Sequence, residues 1–287
     1  MNGVGYCEVI VSPGCTLAES PVWDSCNRRV LWVDILQGNI HEWSVETNKH
    51  TIFPFGVKIG AIALDAEGGI IAATKSGFAR LRLEDRVVDY VADPERCLPD
   101  NRFNDGKCDV TGRFWAGTMD EMTGIPGAGK LYALELDGSV TLKISDVSCS
   151  NGLGWNLAND TFYFIDTPTR EVVAYDFVAN DGNITNRRTV IEVPEEDGFP
   201  DGMAVDTQGM LWIACWGGGK VACWNPNTSR KLGEIRLPVS LVTSCAFGGE
   251  NLSDLFVTTA RLGLTPDELK EQPLAGALFR ISGIGIE

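Results

Sequence analysis

The sequence predicts an all-β fold, a six-bladed β-propeller with four antiparallel strands to a blade and an N-terminal strand closing the last blade. Two observations predict it. A short apolar segment recurs six times: ESPVWD at 19–24, GAIALD at 60–65, NDGKCD at 104–109, NGLGWN at 151–156, DGMAVD at 201–206 and TSCAFG at 243–248. Successive copies start 41, 44, 47, 50 and 42 residues apart, the period of a radial β repeat. Within each period, runs of about five β-branched or aromatic residues alternate with turn signals, which reads as four strands per blade.

The recurring segment is the first strand of each blade. Turns rich in Asp, Gly and Asn follow it, and then a second strand: LWVDI at 31–35, IIAAT at 70–74, RFWAGT at 113–118, FYFIDT at 162–167, LWIACW at 211–216 and LFVTTA at 255–260. Third strands read NIHEWSV, FARLRL, KLYALEL, EVVAYDF, KVACWNP and ALFRIS. Fourth strands are more polar: HTIFPF, VVDYVA, VTLKIS, RTVIEV and KLGEIRL. The sixth repeat has no fourth strand of its own. The segment CEVIV at 7–11 precedes the first repeat, and pairing it into the last blade removes the open edge. A two-sheet sandwich would not account for six copies in register. Between the second and third strands of the last blade, TPDELKE at 265–271 reads as a short exposed helical turn, with Thr265 as N-cap and Pro266 at the first helical position.

Composition fits one domain spanning 1–287. Hydrophobic residues make up 44% of the chain, enough for a continuous core between blades, and closed all-β architectures run to this length as one unit. No apolar run approaches the ~20 residues of a membrane span. The start, MNGVGYCEVIV, has no Lys or Arg before its apolar stretch, so no secretory signal is expected. The formal net charge is −15, which makes nucleic acid and anionic membranes poor partners. The expectation is a cytoplasmic protein, a monomer or weak homo-oligomer. Nine Cys are scattered with no C-x-x-C pair, which points to reduced thiols acting as small hydrophobes. His41 and His50 are the two histidines, and their place in the outer strands of blade one predicts surface exposure. Neither follows a nucleophile elbow. Most Trp residues fall within strands as blade-interface core, while Trp216 is expected either in the core or in a pocket wall. Gly217–Gly219 lacks the Lys-Ser/Thr helix start of a phosphate loop.

Equivalent positions of a radial repeat lie on one ring around the axis. Here the ring reads Glu19, Gly60, Asn104, Asn151, Asp201 and Thr243. Two carboxylates and two amides on one ring, with no large apolar residue, call for a cation to offset repulsion and desolvation. Oxygen ligands without thiolate or imidazole suit a hard divalent ion. The alternative is a water-filled channel with polar residues capping strand ends.

The strings AESPVW at 18–23, RFNDGK at 102–107, GTM at 117–119, SNGL at 150–153 and PDGM at 200–203 resemble, in order and spacing, the signature blocks of the regucalcin (senescence marker protein)/gluconolactonase family. The resemblance runs from about residue 15 to 282. It implies a six-bladed propeller with one divalent metal in its channel and hydrolysis of sugar lactones. It implies Glu19, Asn151 and Asp201 as metal ligands, and Arg102 and Asn104 as substrate contacts. The acidic substrate contact after GTM falls on Asp120 or Glu121. The ion's identity is left open among Ca²⁺, Mg²⁺, Mn²⁺, Zn²⁺ and Fe²⁺, as is the particular sugar. Asp201 would also serve as the base that assists water attack. A surface arginine paired with an acid such as Glu95 is the alternative for Arg102. A phosphotriesterase-like hydrolase and a non-enzymatic calcium-binding protein are the alternative functions. The Gly-rich segment 119–130 is the candidate lid.

Overall fold

A computed structural model describes residues 6–65 and 68–284. It contains six four-stranded antiparallel sheets. After β1 (Tyr6–Val11), blade one holds β2 (Ala18–Asp24), β3 (Arg29–Asp34), β4 (Asn39–Ser44) and β5 (Lys49–Pro54). Blade two holds β6 (Ile59–Leu64), β7 (Ile70–Thr74), β8 (Gly77–Arg82) and β9 (Val87–Ala92). Blade three holds β10 (Asn101–Cys108), β11 (Phe114–Asp120), β12 (Gly129–Leu134) and β13 (Val140–Val147). Blade four holds β14 (Ser150–Trp155), β15 (Thr161–Asp166), β16 (Glu171–Val178) and β17 (Asn183–Glu192). Blade five holds β18 (Phe199–Val205), β19 (Leu211–Trp216), β20 (Lys220–Asn225) and β21 (Arg230–Arg236). Blade six holds β22 (Val242–Gly248), β23 (Asp254–Thr259) and β24 (Leu278–Ser282), and β1 pairs with β24 as its fourth strand. The expected closure is therefore present, with Cys7 opposite Ile281 and Val9 opposite Phe279.

The buried apolar residues fall into six clusters, one between each adjacent pair of blades. Phe78 of blade two packs on Phe103 and Phe114 of blade three. Trp115 of blade three packs on Phe162 and Phe177 of blade four. Each blade is thus buried on both faces. This is why its middle strands read as near-continuous apolar runs, while β5, β9, β13, β17 and β21 are more polar and exposed.

The inner strands β2, β6, β10, β14, β18 and β22 contact one another in succession around the axis. Side chains join them: Ser20 Oγ accepts from Ile62 N at 3.0 Å, Asn104 Nδ2 donates to Ser150 O at 2.9 Å, and Thr243 Oγ1 donates to Ala18 O at 2.6 Å. All six inner strands also lose register with their neighbours at or beside the ring position, between Glu19 and Val22, Ile59 and Ala61, Phe103 and Asp105, Asn151 and Leu153, Pro200 and Met203, and Val242 and Ser244. Such a bulge bends the strand and re-aims its side chains. In blade one the backbone after Glu19 is left-handed at Ser20, φ 49°, a conformation that persists only where the surroundings enforce it. Gly60 shows how tight the ring is: a Cβ there would sit 2.4 Å from Phe103 O.

Helix α1 (Pro266–Glu271) lies between β23 and β24 with the expected capping box, in which Thr265 accepts from Glu268 N and Glu268 accepts from Thr265 N. The antiparallel order places this insertion at the end of the propeller where the inner strands begin. No helix among the described residues is long and apolar enough to cross a membrane, and all nine cysteines are free. His41 departs from the sequence expectation. It is buried against Trp32 and His50, with ring centroids 5.1 and 5.2 Å away, and His50 itself is half-buried. Its strand β4 lies between β3 and β5 in a blade covered on both faces by its neighbours, so a place in the outer half of the blade does not bring it to the surface.

Candidate active site

Glu19 and Asp201 are buried near the start of β2 and β18. Both carboxyls are pushed well above the ordinary range, first by burial and then by each other's neighbours: Asp201 and Asp105 act on Glu19, and Asp105 acts on Asp201. Asp105, also buried, is itself raised by burial, with Lys107 acting in the opposite direction. Three carboxyls therefore converge where water is scarce, and Arg102 is the cation that lowers both Glu19 and Asp201. Asp201 Oδ1 is buried without any hydrogen-bond partner. Such an orphan acceptor among convergent carboxyls carries a large desolvation cost unless a cation or donor completes it.

The two amides are oriented by their partners. Asn151 Nδ2 donates to Thr167 Oγ1 at 2.8 Å, and that hydroxyl donates to Pro200 O at 2.8 Å. Asn151 Oδ1 is thereby turned toward Asn104, whose Nδ2 lies 3.2 Å away. Asn104 Oδ1 accepts from Arg102 Nη1 at 2.6 Å. Gly152 follows Asn151 because β18 passes close by: a Cβ there would lie 2.8 Å from Asp201 O. The backbones carrying these two candidate ligands are thus in near contact. The donor set of Glu19, Asn151 and Asp201 offers two carboxylates and one amide oxygen, which fits a hard divalent cation.

Arg102 lies in β10 and is buried, not a surface arginine. Glu95 is engaged elsewhere, by Asn101, Thr118 and Tyr132. Burial lowers the Arg102 guanidinium from its ordinary value, while Glu121, Glu19 and Asp201 favour its charge. Its Nε–H has no hydrogen-bond partner and stands 3.4 Å from Glu121 Oε1. Glu121 also pairs with Lys58 at 2.5 Å and Lys75 at 3.1 Å. Burial raises its carboxyl, but these cations outweigh that and hold it below its usual value. Asp120 is turned into its own loop: its Oδ1 accepts from the backbone of Met122, Thr123 and Gly124, and its Oδ2 from the Thr123 hydroxyl. These bonds lower its carboxyl and fold the segment after β11. Of the two acids after GTM, Glu121 is therefore the one in contact with Arg102.

Asp105, Lys107, Cys149 and Thr167 belong to the same surroundings and were not singled out by sequence. Asp105 follows Asn104 directly, and regular alternation would send it to the opposite face; the bulge there breaks that alternation. Lys107 Nζ spans from β10 to Met203 O at 2.7 Å. Cys149 Sγ lies 3.8 and 3.7 Å from the amide nitrogens of Asn104 and Asn151, with its thiol pushed up to about 12, first by burial. Beyond the carboxyls, Asp105 and Lys107 face a cavity of about 330 Å³ shared with Ser20, Met203 and Ser244. This cavity lies farther along the inner strands than Arg102 and Glu121, and so toward the other end of the channel. Trp216 is half-buried and packs on an apolar cluster with Leu17 and Leu241.

Residues 17–261 match the family described as the SMP-30/Gluconolactonase/LRE-like region. Regucalcin of Oryctolagus cuniculus is 40% identical over 98% of this chain and 95% of its own length. Among solved structures, a calcium-binding protein, regucalcin, of Agrobacterium tumefaciens superposes with a TM-score of 0.92 at 27% identity, covering 98% of this chain and 96% of that one. A luciferin-regenerating enzyme superposes with a TM-score of 0.91 at 29% identity, covering 99% and 97%.

Proposed function

The chain belongs to the SMP-30/gluconolactonase/LRE-like family, and from that premise we propose that it is a divalent-metal-dependent hydrolase of sugar lactones. The observation that carries this reading is the pairing of an orphan acceptor with an orphan donor in one site: Asp201 Oδ1 among convergent carboxyls, and Arg102 Nε beside Glu121. The first is suited to a cation, the second to a polar substrate. The similarity to a calcium-binding relative supports the same ligand class.

Glu19, Asn151 and Asp201 would hold the ion, and their two negative charges offset its two positive ones. When bound, a divalent cation supplies polarisation of an ester carbonyl and acidification of water. The chain's own residues do the rest. Asp201 takes the proton of the attacking water as its oxygen bonds to the lactone carbon. The ring C–O bond then breaks, and the departing ring oxygen recovers a proton from the Asp201 carboxyl. The products are the open-chain aldonate and one net proton. Arg102 donates to ring hydroxyls or to the developing carboxylate, and a planar guanidinium suits both. Asn104 fixes the Asn151 amide and thereby the direction of its oxygen.

A panel of aldonolactones followed by pH-stat, before and after chelator treatment, tests this. Acid release that stops on chelation and returns with a divalent ion is expected. A protein that opens no aldonolactone in the presence of any divalent ion would contradict it.

A further inference from the structure

A second group of metal-ligating side chains lies away from the channel, in the seam where the propeller closes. Cys15 Sγ, an Asp34 carboxylate oxygen and a His41 ring nitrogen all lie within 4.8 Å of one another, and all three residues are buried. Cys15 Sγ and His41 Nε2 are 3.7 Å apart. A tetrahedral zinc ion with Zn–S of about 2.3 Å and Zn–N of about 2.0–2.1 Å separates such atoms by about 3.6 Å. We propose that Cys15, Asp34 and His41 form a zinc-class cation site, distinct from the channel, that ties the closing segment of the chain to blade one.

The surroundings are those of a built site. His41 Nδ1 lies 3.0 Å from His50 Nε2. With Nε2 given to a cation, His41 would carry its proton on Nδ1 and donate it to His50. This is the outer-shell bond that fixes tautomer and ring direction in metal-bound histidines. Trp32 stacks on both imidazoles, with centroids 5.1 and 5.5 Å away. Its buried indole N–H has no hydrogen-bond acceptor of good geometry, and it acts on the Cys15 thiol in the direction that favours ionisation. Asp34 is held by backbone donors, Oδ2 by Thr16 N at 2.8 Å and Oδ1 by Leu17 N at 3.2 Å, and each oxygen keeps a second acceptor direction.

Charge and protonation agree with that geometry. Thiolate and carboxylate cancel the charge of a divalent ion, which a buried site requires. Burial, and then His50, push His41 down to about 4, the direction that favours the neutral imidazole a cation binds. The thiol is pushed up to about 12, first by burial and then by Asp34; a cation that coordinates sulfur displaces its proton outright. The soft sulfur ligand separates this site from the all-oxygen ring in metal preference. Its place gives it a role. Cys15 N donates to Gly276 O, and Thr16 O accepts from the backbone of Arg261 and Leu262. The residues that carry the ligand Cys15 thus bridge blade six to β3 and β4 of blade one.

Co²⁺ is the probe that tests this, added to the reduced, chelator-treated full chain in the presence of saturating Ca²⁺, which suits the all-oxygen ring and not a thiolate site. A thiolate-to-cobalt charge-transfer absorption is expected. It should vanish in Cys15→Ser and persist in Glu19→Gln, Asp201→Asn and Cys149→Ser, the last because Cys149 lies near the ring. His50→Gln should leave the band and weaken Co²⁺ binding about 10–100-fold, the usual loss for an outer-shell partner. Should Cys15→Ser not fold, His41→Gln serves instead and must weaken binding by more than about 10-fold. No thiolate band in the unaltered protein, a band undiminished in Cys15→Ser, or a band that depends on Glu19 and Asp201 would each overturn the proposal.

Discussion

Arg102 Nη1 donates a 2.6 Å hydrogen bond to Asn104 Oδ1, and this bond decides which end of the Asn104 amide faces Asn151. The guanidinium takes the amide oxygen, so the amide nitrogen is left for Ser150 O and Asn151 Oδ1. Arg102 therefore acts on the candidate metal ligand Asn151 through one intermediary, while its own Nε stands 3.4 Å from Glu121 Oε1.

Removing that guanidinium should cost more on a hydroxylated lactone than on a bare one. Arg102→Ala is expected to lower kcat/KM for an aldonolactone by about 1.5–3 kcal/mol, or about 10- to 150-fold, the range for a hydrogen bond to a charged group. A lactone without ring hydroxyls should lose much less, and metal affinity should change little because Thr167 Oγ1 still holds the Asn151 amide. Steady-state kinetics on both substrates with metal analysis checks this. Equal losses on both would assign Arg102 to support of Asn104 and Asn151 instead.

Asp201 separates ligand from base. Asp201→Asn keeps an oxygen for the ion and loses the proton acceptor, while Asp201→Ala loses both. Turnover should fall at least about 10²-fold in each, the usual scale for general-base loss, with the asparagine variant retaining some metal. A metal-loaded asparagine variant of near-normal turnover would place water activation elsewhere.

The fold was legible because the repeat is coarse: six copies at a period of 41 to 50 residues survive any local irregularity. The closing strand followed from counting strands, and the Thr265 cap from its Pro and acidic neighbours. The ring was legible to one residue per blade, since equivalent strands begin at equivalent heights. What lay beyond it was not. Asp105 faces the carboxyls only because β10 bulges at Asn104, and a bulge has no signature in an alternating pattern. Gly60 and Thr243 share the ring but serve packing: one abuts Phe103 O, the other bridges Ala18 O and Thr258. The burial of His41 was not legible, because a place in an outer strand does not reveal that neighbouring blades cover both faces of that strand.

The raised carboxyls of Glu19 and Asp201 predict how the chelator-treated protein responds to pH. A carboxyl raised in the folded state keeps its proton after the unfolded chain has lost it. Stability contributed by these groups is therefore present below the unfolded value of about 4 and is lost as pH rises from there through the folded values. Urea midpoints of the chelator-treated protein should fall over that window, and a saturating divalent ion should remove the fall. Glu19→Gln should flatten the metal-free profile. An unchanged profile in that variant would mean that Glu19 does not carry the effect.

Gly152 should tolerate no side chain. In Gly152→Ala the new methyl meets Asp201 O at 2.8 Å and the Ile165 side chain, and overpacking of this kind costs about 1–3 kcal/mol. Turnover is expected to fall along with thermal stability, because the displaced backbone carries Asp201. Calorimetry paired with kinetics reads both. Normal turnover in the variant would show that Asp201 is positioned independently of β14.

The central claim is that Glu19, Asn151 and Asp201 hold the ion on which lactone opening depends. Calorimetric titration of Ca²⁺, a hard ion that does not suit the Cys15 site, into the chelator-treated protein and into Glu19→Ala, with pH-stat turnover on the same samples, tests it most directly. The account predicts one tight channel ion in the unaltered protein, with turnover rising in proportion to its occupancy, and loss of both in Glu19→Ala. Full turnover in a demonstrably metal-free sample, or unchanged binding and activity in Glu19→Ala, would contradict it.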